Sequence, residues 1–294
     1  MNRRLGAIQA APAVWQWLAV TRQARLLYLF DHAINLVNEY GDVLSVVTPK
    51  IGAGPFHVVV NGFVAGDLSP IEGDESPATN IGVQVQPDGM QIGKLWVDVR
   101  GAAVWPPRVN WERLRAHTAP TTAGSGQAVW HSHLPHLQRI VQQHRMELGL
   151  DTTVWQPPLQ TGLDLLLTGI AQGDTVVIQS GTAQLAGLGP GLTPAGDDVL
   201  MGVMLGLWAT KAEATIRPLA EVMVATAVPR TTTLSAAGLR AAGRGEAGWL
   251  WHELSNRLSV TDNRWEETVA QILATGHSSG ADALLGFLSV IRGW

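Results

Sequence analysis

The chain has 294 residues, enough for one large domain or two ordinary ones. Hydrophobic residues make up 46% of the sequence and charged residues only 15%, which favours a compact folded protein over a disordered one. The formal net charge of -4, without a run of lysines and arginines, argues against nucleic-acid binding. The absence of cysteine excludes disulfides, thiolate catalysis and zinc–thiolate sites, and it agrees with a cytoplasmic location.

The sequence shows no segment that is typical of export or membrane insertion. Gln9, Pro12 and Gln16 interrupt the apolar N-terminal stretch, which therefore does not resemble a signal peptide. The most apolar predicted helix, Val199 to Ala209, is far shorter than the roughly 20 residues that cross a bilayer. We predict a cytoplasmic protein that does not bind membranes.

The first third of the chain contains two different periodicities. Residues 13–40 predict a helix, because apolar residues recur at helical spacing and Gly41 follows. Four β-branched or alternating runs come next, separated by prolines and glycines, and they predict hairpin-connected strands. These runs are Val43 to Thr48, Phe56 to Asn61, Ile81 to Gln86 and Gln91 to Val99. We interpret residues 42 to 110 as an antiparallel sheet, with a small barrel as one form it could take.

The middle of the chain contains a histidine-rich segment. Residues 111–117 predict a short helix, residues 118–126 a loop, and residues 138–148 a helix that begins after Pro135. Pro135 interrupts the spacing of the histidines, and no carboxylate completes a metal-ligand set, so solvated or capping histidines are the favoured interpretation. The histidines are His131, His133, His136 and His144.

The second half of the chain is predicted to be mainly helical. A short strand at Thr175 to Gln179 precedes helical runs at residues 194–209, 215–227, 232–242, 245–258, 263–275 and 280–292. The predicted fold class is therefore α+β, with an antiparallel β-rich N-terminal part packed on a helical C-terminal array. We predict one subdomain at residues 1–125 and a second, carrying a glycine-rich motif, at residues 126–294.

The glycine-rich motif leads into the first of three polar helix starts. Its glycines allow backbone angles and close approaches that a side chain would forbid. Thr193 is predicted to cap the next helix, with Pro194 at the first helical position. Two adjacent aspartates follow, and adjacent carboxylates repel each other. A cation, an arginine or a donor-rich ligand would reduce this repulsion. The candidate residues are Gly187, Gly189, Gly191, Thr193, Asp197 and Asp198.

Two further helix starts have a similar composition. Hydroxyl groups, free helix N–H groups and an arginine are the chemistry that binds phosphate or carboxylate, but the same hydroxyls and carboxylates also serve as ordinary caps. Both interpretations stay open for each start taken alone, and a shared anion pocket is the hypothesis for all three. The further candidates are Arg230, Thr231, Thr232, Thr233, His277, Ser278, Ser279, Gly280 and Asp282. Gly202, Gly206 and Gly286, inside predicted helices, indicate close helix packing instead.

These three motifs resemble the AllH family, a subunit of oxamate carbamoyltransferase. The resemblance is carried by GLGPGLTPAGDD at residues 187–198, RTTTLS at residues 230–235 and GHSSGADALLG at residues 276–286, and it extends to Gly52–Pro55. It implies a subunit of a multi-protein transferase of allantoin and purine nitrogen breakdown, which converts oxalurate and phosphate to oxamate and carbamoyl phosphate. It also implies other carbamoyltransferase subunits as partners, and we predict an oligomer.

The working hypothesis assigns roles to the motif residues. Arg230, with Thr231 to Thr233, would hold phosphate, the glycine loop would approach the substrate, and His277 would exchange a proton with the leaving nitrogen. Asp198 completes the candidate catalytic set. No cofactor or metal is predicted. Two alternatives remain: a non-catalytic structural or regulatory subunit that binds a small anion, and a magnesium-dependent hydrolase-like enzyme using Asp197, Asp198 and Asp282.

Overall fold

The computed structural model describes residues 3–63, 81–116, 129–259 and 264–291. It divides into two compact units, Met1–Pro107 and Arg108–Trp294. The first is rich in strands and the second in helices, which confirms the α+β class. The predicted loop at residues 118–126 and the predicted boundary after residue 125 lie outside the described residues.

The first unit is a closed β-barrel. Its strands run in the order β5-β4-β3-β2-β6-β7-β8-β1, and β1 also pairs with β5, so the ring is complete. The strands are β1 (Arg3–Ala10), β2 (Ala24–Phe30), β3 (Ala33–Asn38), β4 (Val43–Val47), β5 (His57–Val60), β6 (Gly82–Gln86), β7 (Gly89–Ile92), β8 (Leu95–Asp98) and β9 (Ala103–Val104). The barrel that the sequence allowed is therefore present.

The barrel sheet is mixed, which corrects the expectation of a purely antiparallel sheet. Three pairs are parallel: β1 with β8, β1 with β9, and β4 with β5. The N-terminal strand β1 causes two of these pairs, and no sequence pattern had indicated it. Residues such as Ile34, Leu36, Val58 and Met90 fill the core of this unit.

The helix expected over residues 13–40 ends much earlier. Helix α1 spans Pro12–Val20, and β2 and β3 form an antiparallel hairpin over the remainder. The leucines of β2 recur at a spacing that also fits a helix, but the strand pairs with β3 on one side and β6 on the other. Backbone pairing on both sides outweighs a local pattern. Gly41, with a φ of 82°, lies in the turn between β3 and β4.

The second unit is a helical array, as expected. Its helices are α2 (Trp111–Ala116), α3 (Val129–Glu147), α4 (Gln156–Gln172), α5 (Thr175–Leu185), α6 (Ala195–Thr210), α7 (Glu213–Ala227), α8 (Thr233–Gly243), α9 (Trp249–Leu258), α10 (Trp265–Leu273) and α11 (Ser279–Ile291). Each predicted helical run after residue 194 has a counterpart here, with ends that differ by a few residues.

Two local predictions in this unit were wrong. The predicted strand at Thr175 to Gln179 is the beginning of α5, because Asp174 caps that helix by accepting hydrogen bonds from the Val176 and Val177 N–H groups. Capping and packing against α4 outweigh the β-preference of the valines. Helix α3 includes Pro135, although a helix start after this residue was expected. Proline has no N–H group, so one carbonyl in the preceding turn of α3 lacks its usual donor. Pro135 is exposed, and this carbonyl therefore lies at the helix surface.

Helices α6 and α11 cross in close contact through glycines. A Cβ atom on Gly202 would lie 1.9 Å from the Ala283 carbonyl oxygen, and one on Gly286 would lie 2.1 Å from the Val199 carbonyl oxygen. A Cβ on Gly206 would approach the Phe287 carbonyl oxygen to 2.9 Å. The predicted packing role of these glycines is therefore confirmed. Their contact brings the starts of α6 and α11 together.

Candidate functional site

The glycine loop before α6 adopts the backbone angles that its composition indicated. Gly187, Gly189 and Gly191 have φ values of 73°, 107° and 94°. A Cβ on Gly187 would lie 2.4 Å from the Arg230 carbonyl oxygen, so the loop contacts the segment before α8 through the backbone. Gly191 is exposed, and a Cβ there would meet nothing within 4 Å. The loop therefore has a packed base and an open tip.

The start of α6 differs from the prediction. Pro194 occupies the N-cap position, without a side-chain cap, and Thr193 is not the cap. The Thr193 and Ser279 hydroxyls instead share a hydrogen bond of 2.8 Å, which joins the loop to the start of α11. The first amides of α6 have partners: Gly196 N–H donates to the Leu188 carbonyl, and the next two donate to the Pro194 carbonyl. These three N–H groups already have carbonyl partners within the protein, so they are not available to a ligand.

Asp197 ties the loop to the start of α8. Its carboxylate accepts a hydrogen bond of 2.9 Å from Gly187 N–H and another from the Thr231 hydroxyl. The side chain is fully buried, and this burial raises its pKa, while the hydrogen bonds from Thr231 and Gly187 oppose the change. In this structure Asp197 holds the base of the loop and the segment before α8 in fixed positions.

The start of α8 also contacts the loop. Thr232 caps the helix by accepting from Ser235 N–H, and its hydroxyl donates to the Leu192 carbonyl over 2.6 Å. Thr233 is half-buried. Arg230 is exposed, and its guanidinium donates back to the Thr226 carbonyl over 2.5 Å. The Arg230 side chain is thus at the surface, beside the loop that its backbone contacts.

Asp282, in the first turn of α11, forms a buried ion pair that the sequence had not indicated. Arg145 donates to Asp282 over 2.5 Å, and to Asp151 and Gln156 over 3.2 Å each. Arg145 is only 4% exposed and Asp282 only 2%. Burial raises the pKa of Asp282, and Arg145 opposes this.

Arg145 could have been found from its position on α3. It continues the buried face formed by Leu134, Leu137 and Val141, at spacings of three or four residues. A cation on an apolar helix face predicts a buried partner, because an unpaired buried charge is strongly unfavourable.

Asp198 is the buried carboxylate whose burial is least offset by hydrogen bonds or by an ion pair. It is 2% exposed, and its Oδ2 atom has no hydrogen-bond partner among the described residues. Burial raises its pKa well above the usual range, Asp282 and Asp197 add to this effect, and a hydrogen bond from Ser279 opposes it. The protonated form is therefore favoured. Ser279 is close enough to Asp198 to lower its pKa and hydrogen-bonds to Thr193, so a series of polar groups leads from the buried acid to the loop.

The remaining α11 residues are divided between the surface and the interior. His277 is exposed, and its side chain has no hydrogen bond or ion pair within the described ranges. Ser278 is half-buried, and its hydroxyl opposes the rise in the pKa of Asp282. Gly280 is buried, and a Cβ there would lie 1.7 Å from the Ile272 carbonyl oxygen. We call residues 187–198, 230–235 and 277–282 the helix-start cluster.

The structure brings all three predicted helix starts together, through hydrogen bonds that connect the loop to α8 and α11. Within the described residues, no group of three or more histidine, aspartate or glutamate side chains is arranged to hold a metal ion. His131 stacks on Trp130 at 4.0 Å, and His133 and His136 contact the ring of Trp265. Among all the residues that the structure describes, no helix is both long enough and apolar enough to span a membrane.

Comparison with known proteins gives one family. No solved structure matches this chain. The extension of the resemblance to Gly52–Pro55 stays a prediction. Residues 185–291, which carry all three helix starts, match the family described as oxamate carbamoyltransferase subunit AllH, and the predicted resemblance is confirmed over that segment.

Proposed function

We propose that this chain is a subunit of a carbamoyltransferase and that its helix-start cluster binds the small anion on which that enzyme acts. The family name supports a carbamoyltransferase-associated subunit. The observation that carries the proposal is that the matched segment contains the three helix starts, which hydrogen bonds join around one loop. The oxalurate reaction, the place in purine nitrogen catabolism, the cytoplasmic location and the oligomer belong to the proposal.

The ligand would bind on the accessible side of the cluster. Arg230 is exposed and gives up only one carbonyl contact when it turns toward an anion. Thr233 and Ser278 are half-buried, and the tip of the loop at Gly191 leaves space for a ligand. Charge-assisted hydrogen bonds from a guanidinium and hydroxyls are the usual means of holding phosphate or carboxylate. Asp197, Asp282 and Thr231 support this arrangement from within.

The proposed reaction transfers a carbamoyl group from an amide nitrogen to phosphate. A phosphate oxygen forms a bond to the carbamoyl carbon, and the bond from that carbon to the oxamate nitrogen breaks. The leaving nitrogen takes a proton, and the phosphate hydroxyl releases one, so the balance closes without another reactant. Arg230 would stabilise the charge of the attacking phosphate.

Asp198 is the proposed source of the proton. Its burial favours the protonated form, and the Ser279 and Thr193 hydroxyls connect it to the loop. The acid would donate through these hydroxyls and recover a proton from the phosphate. His277 at the surface is the second candidate for this role, and separate variants distinguish the two.

The experiment is phosphate-dependent oxalurate cleavage by the assembled complex. We expect Arg230→Gln to lower kcat/KM by at least about a hundredfold, because removing one stabilising group commonly costs that much. Ser279→Ala should lower kcat by a larger factor than the factor by which it changes KM. Arg139→Gln on α3 and Ser289→Ala on α11 are the controls, since both side chains bond only to carbonyls of their own helix. Unchanged kinetics in Arg230→Gln would reject a catalytic role for the proposed site.

A non-catalytic role in the same complex is the second candidate. It is favoured by the commitment of Asp197, Thr231 and Asp282 to internal contacts. In that case Arg230→Gln would weaken anion binding to the isolated chain, measured by calorimetry, while turnover by the complex would stay at the wild-type level.

A further inference from the structure

A groove of about 310 Å³ lies between α7 and α8 and shares no lining residue with the helix-start cluster. Trp208, at the end of α6, contributes to its wall, and the Arg108 guanidinium lies 4.9 Å from the centre of the Trp208 ring. Charged side chains make up most of the remaining lining. They are Arg108, Arg217, Glu221, Arg240, Arg244 and Glu246.

Contacts within the groove leave part of the positive charge without a counterion. Arg244 forms two hydrogen bonds with Glu246, of 3.0 and 2.6 Å, so that pair is neutral. Arg108 and Arg217 both donate to a single carboxylate, Glu213. One carboxylate compensates one of these guanidiniums, and the three side chains together keep a positive charge.

Arg240 and Glu221 are the two charged residues of the groove that remain available. Both are exposed, and neither forms a hydrogen bond or ion pair with the other residues that the structure describes. They project from different helices, α8 and α7. The groove thus presents a guanidinium and a carboxylate that no contact within the described chain uses.

A neighbouring groove of about 240 Å³ adds to the positive charge on this side of the unit. It shares Arg108 and Trp208 with the first and is also lined by Arg115, which donates to the Trp208 carbonyl over 2.5 Å. Burial lowers the pKa of Arg115, and the nearby charge of Arg108 lowers it further, although Glu112 opposes both. A bound anion would reduce the repulsion between guanidiniums that lie this close together.

We propose that the α7–α8 groove binds a small molecule that carries a carboxylate or phosphate group together with an N–H donor. Arg240 and the surplus charge of the Arg108–Arg217–Glu213 group hold the anionic end, because guanidiniums bind such oxyanions in a fork geometry. Glu221 accepts the N–H group. Glu221 would repel an anion that has no N–H group, so this carboxylate selects for ligands with an N–H donor.

The test is calorimetric titration of the full chain with three probes: oxamate, oxalate and inorganic phosphate. It is done in an Arg230→Gln background, so that binding at the helix-start cluster is weakened and contributes less. We expect oxamate to bind more tightly than oxalate, because oxamate has an amide N–H group and one carboxylate fewer. The phosphate titration shows whether a tetrahedral anion is accepted as well. Absence of binding by all three probes would overturn the proposal.

Two further variants assign the binding to the groove. Adding Arg240→Gln should weaken oxamate binding by about tenfold or more, whereas the matched Arg139→Gln change should leave it as it was. Adding Glu221→Gln should remove the preference for oxamate over oxalate. Equal affinities with and without Arg240 would contradict the site, and an unchanged preference in Glu221→Gln would contradict the selection for an N–H donor. Neither result depends on turnover by the complex, so the proposed function is tested separately.

Discussion

The helix-start cluster and the α7–α8 groove use charge in opposite ways. In the cluster, three carboxylates are buried almost completely, and Arg145 of α3 forms an ion pair with one of them, Asp282. In the groove, four guanidiniums lie at the surface, where ion pairs compensate only some of them. Buried charge determines whether the segments of the cluster assemble, whereas exposed charge contributes little to folding and remains available for a ligand. The same residue types therefore lead to different expectations for stability in the two regions.

The largest effect is expected from removing Arg145, the cation that pairs with Asp282 of the cluster. Arg145→Met should lower the free energy of unfolding by about 3–5 kcal/mol, because it leaves Asp282 buried without its partner. Urea unfolding measures this change. The matched variant Arg217→Met removes an exposed partner of Glu213 and should cost no more than about 1 kcal/mol. Equal losses in the two variants would show that the comparison between the regions is wrong.

The next effect concerns the helix contact beneath the cluster. Gly202→Ala would place a methyl group against the Ala283 carbonyl, and the resulting shift of α6 from α11 should cost about 1–3 kcal/mol. Gly238→Ala is the control, since its nearest obstacle is the flexible Met201 side chain. Thermal unfolding reports both variants. A loss in Gly202→Ala no greater than in Gly238→Ala would mean that this crossing tolerates a side chain.

Asp198 should make the stability of the cluster depend on pH. Because the pKa of Asp198 is higher in the folded state than in the unfolded state, its contribution to stability is complete below the unfolded value of about 4 and is lost as the pH rises through the folded value. Over that interval the unfolding free energy should fall by up to about 1.4 kcal/mol per pH unit. Asp198→Asn should reduce this slope, and the raised pKa values of Asp197 and Asp282 leave a smaller slope of the same sign. An unchanged slope in Asp198→Asn would assign it to another group.

The smallest effect is expected in the groove itself. Arg244→Gln should change the unfolding free energy by less than about 1 kcal/mol, because its pair with Glu246 is exposed on the arginine side. About 1 M salt should reduce even this difference, since exposed charges are screened. Unfolding curves at low and high salt provide the measurement. A loss above about 2 kcal/mol would mean that the groove charges are needed for folding.

Composition and local pattern predicted the helical unit and the residues that meet at the cluster. Glycines at positions 187, 189 and 191 and the polar residues beside Arg230 and Ser279 could be recognised because each motif is short and local. Two of the wrong predictions were local: Asp174 caps α5 where a strand was expected, and α3 runs through Pro135. The other differences depended on contacts between distant residues. Strand β2 also pairs with the distant strand β6, and the Arg145–Asp282 pair joins residues that are 137 positions apart. The Thr193–Ser279 hydrogen bond, which replaced the expected cap, likewise requires the tertiary structure.

The closure of the barrel by β1 has a consequence for the order of folding. Arg3–Ala10 pairs with β5, β8 and β9, so its partners extend to residue 104. During synthesis this strand leaves the ribosome before any of those partners has been made, while hairpins such as β2–β3 can form from neighbouring residues. Pairing over long sequence separations is slow, because the intervening chain must first be ordered. Strand β1 is therefore expected to be among the last strands of the barrel to be incorporated, although it is made before its partners, and its unpaired edges are open to chaperones or to misassembly until then.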